Sequence, residues 1–302
     1  MLALATVGAV VYSAALREEE WFVRVNGVAI TRAELVDVLR AEQIDAALAG
    51  VPFDETLETF DAAARLTDDE TLRQTAHELG VGVSGEEVEA ELIAQLAPEL
   101  DPTALDDAGR ALFEERRRQY ADLRRLSFAQ LDRIAEGELL RRKAARELGR
   151  GIPDPQPQVR LHVLGVADLE TAERVRQLAL EGVAFEELAR RFASDGGAVD
   201  LGWLPYDALP SAAAELLWTL PTLELSPPFL QENQAIVLYV VSARDPAREL
   251  DAGVRLVLEE RALESWLGVT HDAQEIELRL GSDTLAWVLE QLAQTPAVGP
   301  GP

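Results

Sequence analysis

Residues 149–158 (GRGIPDPQPQ) hold three prolines and two glycines in ten positions. Proline removes a backbone donor and fixes φ, and so this segment reads as the clearest linker in the sequence and a domain boundary. The chain is thereby cut into two regimes. Before the cut, apolar residues recur mainly with helical spacing; after it, short β-rich runs alternate with short helical ones. At 302 residues the chain suits two compact units, since single cores stop growing near ~250–300 residues.

The first regime opens with an alternating run, Trp21 to Val25, then the turn dipeptide Asn26-Gly27. Thr31 with Glu34 three residues on forms a capping box for a helix that Gly50 and Pro52 end. A second helix is expected to start after Thr67, whose run Asp68-Asp69-Glu70 suits a helix N-terminus, and to end at Gly80. Ser84 with Glu87 caps another. One long helical stretch is expected from Leu105 to Leu148.

Charge singles out that last stretch. The chain has 28 basic and 54 acidic side chains, a formal charge of −26, and lacks the net positive surface that a nucleic-acid partner needs. Residues 106–150 nevertheless contain twelve basic and nine acidic side chains. They read as a solvated face laced with i,i+4 pairs such as Glu138 with Arg142, or as a contact for a groove or for lipid headgroups.

Beyond the linker, Val159 to Val166 reads as a strand, Leu169 to Leu180 and Phe185 to Phe192 as helices, and Ile236 to Val241 as an apolar strand. Helix is expected again from Leu250 to Leu267, then an alternating run from Glu275 to Leu280, and a last helix capped by Ser282 or Asp283. Because that alternating run is like Trp21 to Val25, the two are expected to pair. The second unit is then an insertion in a discontinuous first one. The expected divisions are 1–17, 18–150, 156–246 and 247–295, with a disordered tail at 296–302.

Residues Leu2 to Leu16 carry no charge and are followed at once by Arg17-Glu18-Glu19-Glu20. As a helix they span about 22 Å, short of a ~30 Å hydrocarbon core. They read as a signal anchor or uncleaved signal whose basic flank lies upstream, which places the remainder outside the cytoplasm. A buried helix of the folded unit is the other reading.

No cysteine is present, which excludes disulfides and thiolate metal sites. The three histidines, His77, His162 and His271, lie far apart and show no metal-ligand spacing. No P-loop, GxGxxG or GxSxG motif occurs, and no metal or cofactor is expected.

Several motifs occur together in the second unit. A strand carries a histidine (Leu161-His162-Val163-Leu164), and a helix ends at Gly182 before Phe185 and Glu187-Leu188-Ala189. Ser194-Asp195, Asp200-Leu201-Gly202-Trp203 and Leu223-Glu224-Leu225-Ser226-Pro227 follow. The combination resembles a parvulin-type (PpiC-like) peptidyl-prolyl cis-trans isomerase. VNGVAITRAEL near Val25 and AHELGVGVSGEEVEAEL near His77 resemble the helical chaperone domain of SurA/PrsA-type foldases.

The resemblance implies an α+β fold: a mostly helical chaperone domain with an inserted parvulin-like domain of a small antiparallel sheet flanked by helices. It implies catalytic roles for His162 and Asp195 and a proline pocket drawn from Leu201, Trp203, Leu204, Leu209, Ala213 and Ile236. Two positions depart from the family pattern. Ala213 stands where a pocket phenylalanine is expected, and Ile236 stands near the position of a second histidine. A ring replaced by alanine loses about 3 kcal/mol of apolar contact, by analogy with core Phe→Ala changes.

His162 then reads either as a catalytic group or as a satisfied strand histidine. The function implied is that of a membrane-anchored extracytoplasmic folding factor that binds extended polypeptide and X-Pro segments, with a weak or inactive proline pocket. An active isomerase and a non-catalytic accessory subunit of a membrane complex are the alternatives.

Overall fold

The computed structural model describes residues 20–194, 198–231 and 235–294. The expected anchor at 1–17, the tail at 296–302 and Asp195 lie outside the described residues. The fold is α+β, mostly helical with two small antiparallel sheets. Contacts divide it into a helical unit, made of the residues up to Leu148 and those from Ala262 on, and a sheet unit, Gly149–Arg261. Among the described residues, no helix is long and apolar enough to cross a membrane.

The helical unit begins with β1 (Trp21–Val25) and β2 (Val28–Thr31), joined at Asn26-Gly27. Strand β7 (Ile276–Leu278) pairs on the other edge of β1, with Val23 opposite Leu278 and Val25 opposite Ile276. The pairing expected from alternation is therefore present, between segments some 250 residues apart in sequence. Helix α1 (Arg32–Ala49) starts in the Thr31/Glu34 capping box and stops at Gly50, whose φ of 67° suits a residue without a Cβ.

Helix α2 (Glu55–Thr75) does not begin after Thr67 as expected. The Asp54 carboxylate accepts from the Thr56 and Leu57 amides and caps it thirteen residues before the Thr67 signal. The acidic run then falls inside the helix because it is matched by bases: Arg141 with Asp68 and Asp69, and Arg73 with Glu70. Ser84 and Glu87 cap α3 (Gly85–Leu96) reciprocally, as read.

The expected single helix from Leu105 to Leu148 is two: α4 (Asp107–Arg124) and α5 (Phe128–Leu148), broken where Arg125 takes a left-handed φ of 57°. The basic residues of this stretch do not pair as Glu138 with Arg142. They reach other helices: Arg124 to Asp45, Arg133 to Glu34, Arg110 to Glu89, Arg142 to Glu91 and Lys143 to Glu87. Two basic helices thus serve as counter-charge for three acidic ones. Individually such pairs contribute about 0–1 kcal/mol, but their signs select which helices sit together.

Helix α10 (Ser282–Ala293) returns the chain to the first core, where Trp287, Val288 and Leu292 pack with Phe22, Leu35, Leu39 and Ala62. Its first residue is preceded by Gly281 with no side-chain cap, so neither Ser282 nor Asp283 caps it.

In the sheet unit the strand order is β4-β3-β6-β5, antiparallel throughout. The strands are β3 (Gln156–Val166), β4 (Ala198–Leu204), β5 (Phe229–Leu230) and β6 (Ile236–Arg248). Helices α6 (Leu169–Leu180) and α7 (Phe185–Phe192) have the bounds read from the sequence. They cover one sheet face with a core of Leu164, Val166, Val175, Leu188, Leu238 and Val240. Residues 206–220, including α8 (Ala214–Thr219), cover the other, over Val159, Leu161, Val237, Tyr239 and Val241.

The sheet unit extends past the expected limit at 246, and its boundary falls within α9 (Ala252–Asp272). The Leu250 amide donates to Asp154, Arg255 pairs with Asp154, and Arg261 donates to the Asp207 and Leu209 carbonyls. Those bonds tie the first half of α9 to the sheet unit.

Candidate functional site

Polar side chains converge in the sheet unit at His162, in the middle of β3. Alternation along β3 sends Leu161 and Val163 to one face and His162 and Leu164 to the other. A β-bulge lies on each side of the histidine. On β4, Leu161 pairs with Gly202 and His162 with Asp200, which leaves Leu201 as the extra residue. On β6, Arg160 pairs with Ala243 and Leu161 with Val241, which leaves Ser242 as the extra residue. A bulge re-aims the side chains around it.

Here the two bulges bring Asp200 and Ser242 to the same imidazole. His162 Nε2 lies 2.9 Å from Ser242 Oγ, and Nδ1 lies 3.7 Å from Asp200 Oδ1. The Phe185 ring stands 5.8 Å away, tilted by 55°. The histidine side chain is 21% exposed.

Asp200 is itself held. Arg160 donates to Oδ2 at 2.5 Å, and the Gly202 amide donates to Oδ1 at 2.9 Å, from a backbone at φ 79° that favours glycine. The Arg160 hydrogen bond is the main reason that the Asp200 carboxyl sits below its usual range, and the guanidinium is raised in return. Asp200 is therefore ionised at neutral pH. This network fixes the imidazole in orientation and can accept or donate one hydrogen bond at Nε2. Among the described residues, no group of three or more His, Asp or Glu could hold a metal ion.

The sequence-derived pocket is not assembled around His162. Leu209 and Ala213 are 0% and 3% exposed and belong, with Leu204, to the core on the opposite sheet face. Trp203 pairs across from Arg160 and carries the Arg248 guanidinium 4.8 Å above its ring. Leu201 is an exposed bulge residue. Ile236 pairs with Val166, at the far end of the ladder, and packs against the α6–α7 side. The residue opposite His162 is Val240, and its polar neighbour is Ser242.

Arg160, Asp200, Ser242 and Phe185 were not singled out as site residues. Arg160 and His162 at i,i+2 do share a strand face, which is a readable signal. Ser242 had none, because a bulge breaks the period-two register that such a reading uses.

Among the described residues, the helical unit carries grooves at two places. One, of about 540 Å³, is lined by Val88, Leu92 and Phe113 with Glu89, Arg117 and Glu136. The other, of about 370 Å³, lies among α1, α2, α4 and α5, with Val38, Leu66, Leu126 and Ile134 in its lining.

No protein-family model matches the chain, and no curated protein matches it. Solved structures similar to it are PrsA- and SurA-like foldases. Peptidylprolyl isomerase PrsA from Bacillus anthracis is 15% identical, with 76% of this chain and 95% of that chain covered and a TM-score of 0.41. Foldase protein PrsA from Streptococcus pneumoniae is 10% identical, with 91% and 93% covered and a TM-score of 0.35. A SurA-like chaperone of Campylobacter jejuni is 13% identical, with 86% and 99% covered and a TM-score of 0.26.

Proposed function

We propose that this protein is a folding factor that holds extended segments of unfolded polypeptide on its helical unit, while its sheet unit has little or no prolyl isomerase turnover. The observation that carries the reading is an apolar cluster at the α1–α2 hairpin. Leu48, Val51, Leu57 and Phe60 are 47–58% exposed within thirteen residues of chain. Leu57 and Phe60 lie at i,i+3 on one helical face. Clustered exposed apolar side chains, unlike scattered ones, mark surfaces that other chains cover.

The test is suppression of aggregation of a chemically unfolded protein, followed by light scattering. Leu57→Ser with Phe60→Ser is expected to lose more than half of the suppression without lowering the melting temperature, since both residues are exposed. Suppression undiminished in that variant overturns the assignment.

The apolar run Leu2 to Leu16 supports attachment to a membrane, with the acidic chain on its outer face. Alkaline carbonate should leave the full-length protein in the membrane pellet and release a form that starts at Glu20. Release of both forms would show that this run is no anchor.

A further inference from the structure

The smaller groove of the helical unit has a charge pattern that says which extended segments fit it. This inference rests on the folding-factor reading and adds the chemistry of the client. The lining holds six carboxylates (Glu34, Asp37, Glu42, Asp45, Asp69, Glu138) against four guanidiniums.

Every one of those guanidiniums is engaged. Arg65 is held by Glu42, Arg73 by Glu70 and Arg133 by Glu34. Arg124 is held by Asp45 and lies 3.6 Å over the Tyr120 ring. An incoming anion therefore has to displace an existing pair. An incoming cation meets surplus carboxylate instead: among the described residues, Glu42 is part-exposed and its Oε2 has no hydrogen-bond partner, and Glu138, which accepts only a 3.4 Å hydrogen bond from Gln95, is exposed in the same lining.

Glu42 is also electrostatically uncomfortable. Burial first, and then Glu58 and Asp45, hold its carboxyl above the usual range against the opposing effect of Arg65. A cation beside it offsets the repulsion from Glu58 and Asp45. Below the rim the walls are apolar, from Val38, Ala41, Leu66, Leu126, Leu131 and Ile134. About 370 Å³ is at the low end of the ~300–1,000 Å³ found for ligand pockets, room for one or two side chains and too little for a helix.

We propose that this groove selects extended client segments in which a bulky apolar side chain is flanked by lysine or arginine. The apolar residue fills the floor, and the neighbouring cation meets Glu42 and Glu138. The formal charge of −26 on the whole chain favours the approach of such segments, an effect that salt screens.

The experiment is fluorescence anisotropy of the full chain with dye-labelled ten-residue peptides. Each has a central Leu-Trp pair, flanked by lysines in one peptide and by glutamates in the other. The lysine peptide is expected to bind at least tenfold more tightly at about 0.1 M salt, with the gap narrowing as salt rises. Glu42→Gln with Glu138→Gln should close most of that gap and leave the circular-dichroism melt intact.

Equal binding of the two peptides overturns the selectivity. So does a lysine preference that the double variant leaves unchanged, because the preference then belongs to the overall charge. A concentration-dependent self-dimer that the lysine peptide dissolves also overturns it, since a second copy is then the occupant. In all three cases aggregation suppression that persists leaves the folding-factor reading standing. Absence of suppression together with absence of peptide binding fails that reading itself.

Discussion

Ending the chain at Leu280 should abolish the cooperative thermal transition of the helical unit and leave that of the sheet unit in place. The truncation removes α10, whose Trp287, Val288 and Leu292 are 7%, 0% and 0% exposed in the core that Phe22, Leu35 and Leu39 share. Burial of each such side chain contributes about 1.5–3 kcal/mol, roughly 5–9 kcal/mol in all. Whole domains are stable by only about 5–15 kcal/mol, so the loss is comparable to the total.

Strand β7 does not compensate. It pairs with β1 over three residues, and Thr284 Oγ, which donates to the Arg279 carbonyl, departs with α10. Trp203 and Trp218 report on the sheet unit while Trp21 and Trp266 remain in the helical unit, so the two transitions are resolved by scanning calorimetry. A helical-unit transition that survives the truncation at its original temperature would show that α10 contributes nothing to that core.

A protease-coupled proline-peptide assay should return an isomerisation rate within about twofold of the uncatalysed rate. Rotation about an X-Pro bond faces ~18–20 kcal/mol, and lowering it requires a grip on the ring that improves as the bond twists. Two of the residues that the resemblance assigns to that grip are buried away from the histidine. Leu209 and Ala213 are core residues on the sheet face opposite His162, and Ala213 stands where the resemblance to parvulins implies a ring. Loss of such a ring is worth about 3 kcal/mol, or more than a hundredfold in rate.

At the histidine, the partner is a serine hydroxyl at 2.9 Å in place of a second imidazole. A rate hundreds of times above background, removed by His162→Ala, would establish that the Arg160–Asp200–His162–Ser242 network is an active isomerase centre. His162→Ala is expected here to leave the rate unchanged and to cost a small loss of stability at this part-buried strand position.

Thr31 with Glu34 and Ser84 with Glu87 announced two helix starts, because a capping box is a contact between neighbours in sequence. The bounds of α6 and α7 were legible for the same reason: Asp168 caps one, and the hydrophobic spacing of the other is complete within eight residues. The β1–β7 pairing was readable as two runs with one alternating period. An acidic run looks like a helix N-terminus when the arginine that matches Asp68 and Asp69 lies 73 and 72 residues away, at Arg141. The break at Arg125 went unread, since a non-glycine residue in the left-handed region has no compositional mark.

Sequence alone determined the division into two regimes at the proline-rich linker, most helix and strand identities, and the pairing that closes the helical unit on itself. These follow from local periodicity, caps and turn chemistry, which act within one or two turns of chain. Tertiary structure decided which residues meet His162. One bulge residue on β4 and one on β6 shift the register on both sides, and each shift moves the following side chains to the other face of the sheet. Asp200 and Ser242 thereby arrive at the imidazole, while Leu209 and Ala213 are carried into the opposite core. Tertiary packing likewise decided where the basic stretch 106–150 directs its charge, because opposite charges on different helices can be matched only once those helices are side by side.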